Sequence, residues 1–239
     1  MQRGELLYEG KAKQVFATDN PEVVRMTYKD EATAFDGAKR AVIKDKGIMN
    51  KRIACLLYRM LESHGIKTHL VEEIDERQVR VKKLAMIPLE VVVRNRIAGS
   101  MAQRLGREEG EVLESPIIEL YYKDDSLHDP MVNDFYARVL GWASSEQLED
   151  IYSRALQINT VLSELFDRAG IILVDFKLEF GVSQGEILLG DEISPDSCRL
   201  WDKDSLEKLD KDRFRRDLGG EGEAYREVVR RLERVLLKQ

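Results

Sequence analysis

Asp175, Lys177 and Glu179 alternate with Val174, Phe176, Leu178 and Phe180 in the run ILVDFKLEFG, residues 172–181. Side chains two apart on a strand share a face. The pattern therefore predicts one wholly apolar face and another that carries acid, base and acid in a row. A VSQG turn follows, then EILLGDEIS. A hairpin reversing near Gln184–Gly185 returns Asp191 to within about a residue of Glu179, on a strand roughly 5 Å away. Carboxylates that close repel unless a cation lies between them, and Mg2+ takes one or two carboxylates together with nucleotide phosphates. Lys177 on the same face suits an anionic substrate. A solvated face laced with salt bridges is the alternative use of these residues.

Three further clusters could bind anions. In YEGKAKQVF a glycine turn sits beside Lys11 and Lys13, so backbone N–H and ammonium groups could meet phosphates. It matches neither the Walker spacing nor G-x-G-x-x-G, and a basic surface hairpin is the competing reading. In VVVRNRIAGS, Arg94 and Arg96 end an apolar strand, with Gly99 and Ser100 in the turn beyond. That suits a phosphate pocket, or else a pair of structural ion pairs. Arg199 in SPDSCRLWD lies a short loop from Asp191 and suits a second anion beside the metal. Its neighbour Cys198 reads as a packed small residue. His128 in HDP could be a base, although a capped turn is the commoner use of that triplet. The basic turn early and the acids and arginines later suggest a nucleotide between two lobes, with magnesium joining its phosphates to the acids.

The elements that must position these residues read as α+β. Short strands surround the GKAK turn and recur in EVVRMTYKD, THLVEEID and QVRVKKL. Ile53, Leu56, Leu57, Met60 and Leu61 fall at helical spacing, with Gly65 placed to end that helix. Pro88 suits an edge or a crossover, which puts a lobe boundary near residues 84–88 and an apolar strand over 89–96. The chain divides into a β-rich lobe, 1–85, and an α/β lobe, 86–239. Ser144 and Gln147 form a capping box for a helix that closes on Gly170. Its stripe is Leu148, Ile151, Tyr152, Ala155, Leu162, Leu165, Phe166 and Ala169. A final amphipathic helix covers EAYREVVRRLERVLLK.

The 239 residues are 34% charged with a net charge of −6, which argues against a nucleic-acid binder. Two cysteines and three scattered histidines offer no disulfide framework or zinc spacing. The amino terminus lacks a secretory core, and no apolar run approaches the roughly 20 residues that span a bilayer. A soluble, cytoplasmic chain is expected.

MIPLEVVVRNRIAGS and LVDFKLEFG resemble the two signature segments of the SAICAR synthetase (phosphoribosylaminoimidazole-succinocarboxamide synthase) family. The likeness continues through YEGKAK, TAFDGAK, DKG, LHDPMVND and LGDEISPDSCRLWDKDSLEKLDKDRFRRDLGG, so it covers essentially the whole chain. The resemblance implies a two-lobed fold with ATP in the cleft. It also implies a ligase of purine biosynthesis that joins L-aspartate to the carboxylate of carboxyaminoimidazole ribonucleotide, through an acyl phosphate. By that resemblance Lys11, Lys13 and Lys123 meet ATP phosphates, Ala12 also binds ATP, and Lys82, Leu84 and Met86 line the adenine pocket. Glu179 and Asp191 hold Mg2+. Arg94, Ser100 and Arg199 bind the ribonucleotide phosphate, with Glu90, Asp175 and Lys177 nearer its imidazole and the latter two catalytic. Asp36 and Lys39 shape the aspartate region, and a homodimer is expected. A kinase is the nearest rival but would want H-R-D-x-x-x-x-N and D-F-G, which are absent. A non-catalytic ATP-binding regulator is the other, and RNR and RFRR are a slender basis for a nucleic-acid module.

Overall fold

The computed structural model describes residues 4–34 and 37–236. Strands β1 (Leu6–Glu9), β2 (Lys13–Ala17) and β3 (Val23–Tyr28) are followed by a separate hairpin, β4 (Glu31–Ala34) with β5 (Lys39–Val42). Helix α1 (Lys46–Ser63) starts earlier than its apolar stripe suggests and ends at Gly65, whose φ is 80°. After it come β6 (Leu70–Glu73) and β7 (Gln78–Lys82). These strands form an antiparallel sheet in the order β1-β2-β3-β7-β6. Val24, Met26, Tyr28, Val79 and Val81 alternate onto one face and bury against Ala54 and Cys55 of α1. The next residues around the same helix, Ile53, Leu57, Tyr58 and Leu61, enter the larger core instead. One helix thus packs on both sheets.

The rest of the chain runs β8 (Ala85–Arg96), α2 (Gly99–Leu105), β9 (Val112–Tyr122), β10 (Met131–Val132), α3 (Asp134–Val139) and α4 (Ser145–Arg168). It continues through β11 (Ile171–Ser183), β12 (Glu186–Gly190), β13 (Cys198–Asp202), α5 (Asp212–Arg215) and α6 (Glu221–Leu236). Its sheet has the order β10-β9-β8-β11-β12, with β13 also paired to β11. The Ser144–Gln147 capping box is present at the start of α4. Leu148, Ile151, Ala155, Ile158, Leu162, Leu165 and Phe166 of that helix bury against Val91, Val93, Phe176, Leu178 and Phe180. Each of the larger side chains among them contributes about 1.5–3 kcal/mol on burial. Tyr152 sits at the margin of this face and donates its hydroxyl to Asp134.

Two expectations are corrected. Strand β8 begins at Ala85 rather than residue 89, and Pro88 lies within it. The missing N–H is accommodated because the β8–β11 ladder is irregular opposite Glu179 to Gly181, while the Pro88 carbonyl still accepts from Lys123 N. Val174 does not share a face with Phe176. The register against β13 shifts between Leu173 and Asp175, and Val174 packs with Ile172, Ala98 and Trp201 in a separate cluster. Among the described residues, no helix is long and apolar enough to cross a membrane.

Candidate active site

The face of β11 opposite the core carries Asp175, Lys177 and Glu179, and it forms the floor of a cavity of about 1060 Å³. The charged face is not a solvated exterior: Asp175 and Glu179 are each only 3% exposed. Strand pairing delivers the other walls. Glu179 stands opposite Glu90 of β8 and Gly190 of β12, and Asp175 lies between Arg94 of β8 and Arg199 of β13. The β1–β2 turn supplies Lys11, Ala12 and Lys13, while Ser100, Lys123 and Asp191 complete this part of the lining.

At one end, acids and lysines neutralise one another. Glu179 accepts from Lys123 and, at 3.1 Å, from Lys177, which also donates to Glu90 at 2.7 Å. Lys13 donates to Asp191 and lies 3.3 Å from Glu192. Burial would lower both Lys13 and Lys177, but Asp191 and Glu192 raise the first, and Glu179 and Glu90 raise the second. Burial likewise opposes ionisation of Asp191, yet Lys13, Lys177 and Lys123 hold it well below the carboxylate range. Asp191 has φ 56°, a left-handed conformation costly for a non-glycine residue. The Tyr58 hydroxyl holds it there, donating to the carbonyls of Gly190 at 3.0 Å and Asp191 at 2.6 Å. The carboxylates of Glu179 on β11 and Asp191 just past β12 are hard oxygen donors of the kind that Mg2+ takes. Among the described residues they are not part of any larger metal-ligating cluster, so phosphate and water oxygens would complete the shell.

The arginine end is a lattice of buried ion pairs in which each guanidinium bridges two carboxylates. Arg94 donates to Glu119 and to Asp175, each at 2.6 Å, and its Nη2 lies 3.4 Å from Ser100 Oγ. Arg199 donates to the same oxygen of Asp175 at 2.8 Å and to Asp212 at 2.9 Å. Asp175 therefore aims two guanidinium groups into the cavity. Gly99, at φ 54°, lets the start of α2 lie against Arg199. Arg96 points elsewhere, to the Gly110 carbonyl.

A third end is lined by Thr33, Ala34, Gly37, Arg40, Lys211 and Arg215. Lys39 does not line it; its ammonium donates to the Phe214 carbonyl and to Asp217. Asp36 lies outside the described residues. Burial lowers Lys211, and no carboxylate among the described residues lies within ion-pair distance of its ammonium. Lys82, Leu84 and Met86 are also off the main lining. Lys82 borders a smaller cavity of about 280 Å³. Leu84 and Met86 cover Gly181 and Gly190, where a Cβ would come within 2.8 Å of Leu84 Cβ and 2.9 Å of Leu84 Cδ1 respectively. Cys198 is buried in the cavity wall with its thiol pushed far up by burial, and His128 is the left-handed residue that ends a short turn.

Sequence reasoning missed Glu119, Asp212, Tyr58, Glu192, Lys211 and Arg215. Glu119 had one visible signal, since it alternates with Tyr121 on the strand IIELYY. The others are brought in from helices and loops whose spacing carries no such mark.

A family model described as SAICAR synthetase matches residues 6–232. A phosphoribosylaminoimidazole-succinocarboxamide synthase of Desulfitobacterium hafniense (strain Y51) is 56% identical over 236 residues, covering 99% of both chains. The enzyme of the same name from Ehrlichia chaffeensis superposes with a TM-score of 0.94 at 48% identity, over 96% of this chain and 98% of that one. A SAICAR synthetase solved in complex with ADP superposes with a TM-score of 0.93 at 49% identity, over 95% and 97% of the two chains. With the α+β architecture and this cavity, those matches establish that the chain belongs to the SAICAR synthetase family.

Proposed function

We propose that the cavity over β11 is where this protein, an ATP-dependent ligase of the SAICAR synthetase family, joins L-aspartate to carboxyaminoimidazole ribonucleotide. The observation that carries the assignment of ends is the spacing on one strand face. Glu179 and Asp175 are four residues apart, roughly 13 Å, with Lys177 between them. The arginine end receives the ribonucleotide phosphate through Arg94, Ser100 and Arg199. The reacting carboxylate then falls near Lys177 and Glu90. Lys11, Ala12, Lys13 and Lys123 receive ATP phosphates, with the adenine toward Lys82, Leu84 and Met86 between a lobe of residues 1–85 and one of 86–239. Lys211 and Arg215 are left for the aspartate carboxylates. A cytoplasmic homodimer belongs to the same reading.

A carboxylate resists direct attack because oxide would have to leave. Its oxygen attacks the γ-phosphorus, ADP departs, and an acyl phosphate forms. The aspartate amine then attacks the carbonyl carbon, phosphate leaves with the C–O electron pair, and the proton shed by the amine departs with it as hydrogen phosphate. Both steps need positioning and charge neutralisation rather than a nucleophilic side chain, which agrees with a lining of lysines, arginines and acids. Mg2+ held by Glu179 and Asp191 would supply charge neutralisation at the phosphate oxygens. Lys177 holds the reacting carboxylate, while Asp175 serves the reaction by aiming the two arginines.

The test is ADP release with ATP, Mg2+ and the ribonucleotide, with and without L-aspartate. Steady turnover requiring all substrates and yielding the succinocarboxamide is expected. Sustained ADP release without aspartate would overturn the reading in favour of a kinase, and ATP binding without ADP release in favour of a regulator.

A further inference from the structure

Glu192 follows Asp191 out of β12 and lines the same cavity. It is 6% exposed, and its Oε1 lies 3.3 Å from the Lys13 ammonium. Its Oε2 is buried and meets no hydrogen-bond donor among the described residues. A buried carboxylate oxygen left without a donor is costly and calls for a reason.

Lys13 supplies that reason. In this structure its ammonium donates to Asp191, an oxygen donor that a divalent cation would claim. Tyr58 ties down the left-handed backbone of Asp191, so when a cation takes the Oδ1 that Lys13 now holds, the lysine rather than the aspartate gives way. The lysine stem is the flexible partner, and a small shift of its ammonium brings it onto Glu192. We propose that Glu192 is a positioning residue that takes over Lys13 when a divalent cation engages Asp191, and so keeps the ammonium aimed at the nucleotide phosphates. The proposal rests on the reading of Glu179 and Asp191 as the metal carboxylates.

A fluorescent ADP analogue is titrated into Glu192→Gln and Glu192→Asp, once with Mg2+ and once in EDTA. With Mg2+ the Kd of Glu192→Gln is expected to rise about five- to twentyfold, and in EDTA it stays within about twofold, because Lys13 then keeps Asp191. The KM for ATP rises by the same factor, with those for the ribonucleotide and aspartate unchanged. Glu192→Asp, which retains the charge, lies between wild type and the amide in Mg2+, and it carries the test if the amide variant does not fold. Equal weakening in Mg2+ and EDTA, or none in Mg2+, overturns the proposal. Asp191→Asn separates the underlying reading. If Mg2+ still changes ADP affinity in that variant as in wild type, the metal assignment itself fails and takes the proposal with it.

Discussion

Gly99→Ala should weaken ribonucleotide binding and leave nucleotide binding intact. Gly99 opens α2 at φ 54°, and a Cβ there would lie 2.5 Å from Arg199 Cζ and closer still to Nη2. The left-handed conformation alone costs an alanine about 1–2 kcal/mol. The clash is with the end of a long side chain, but that end is not free to swing. Arg199 is held at 2.8 Å by Asp175 and at 2.9 Å by Asp212. Relief requires either that Arg199 gives up its place or that α2 backs away and takes Ser100 with it. With the ribonucleotide phosphate at Arg199 and Ser100, as proposed, each route removes one charge-assisted bond to it, worth about 1.5–3 kcal/mol. At about 1.4 kcal/mol per decade, KM for the ribonucleotide rises roughly ten- to hundredfold. KM for ATP, whose phosphates are proposed to bind at Lys11, Lys13 and Lys123, stays within about twofold. The strain lowers Tm by a few degrees, at about 2–4 °C per kcal/mol for a chain of this size. Initial rates of ADP release with each substrate varied, beside a thermal melt, measure all three. A melt that drops while the ribonucleotide KM holds would show that Arg199 does not contact the phosphate.

Two other outcomes follow from the same geometry. Burial, helped by Lys13, lowers the imidazole of His69 from 6.5 to about 4. A depressed folded-state value means the stabilisation is complete above pH 6.5 and is lost as pH falls toward 4. The loss is on the order of 3 kcal/mol. His69→Gln should flatten that acid slope by one proton, and urea unfolding at pH 7 and pH 4.5 reads it; an unchanged slope refutes the assignment. Lys211→Met should raise the KM for aspartate about tenfold or more, with the KM values for ATP and the ribonucleotide near wild type. Equal effects on all three substrates would remove Lys211 from the aspartate end.

What depends on neighbouring residues was legible before folding. The Ser144 capping box, the stop at Gly65 and the two-residue turn at Gln184 and Gly185, with φ 52° and 80°, all follow from local backbone preferences. That turn sets the hairpin register, so Glu179 falls opposite Gly190 and beside Asp191. Motif resemblance added the family. Tertiary structure decided how each charge is compensated. Arg94 finds Glu119 on β9 and Asp175 on β11, and Arg199 finds Asp212 at the start of α5, because buried ions need partners and strands far apart in sequence are adjacent in the sheet. The bulge that turns Val174 off the core face, the diversion of Lys39 to Asp217 and the grip of Tyr58 on Asp191 arise the same way. Spacing along a chain determines which side chains share a face, whereas what stands opposite that face is settled only when the sheets and helices pack.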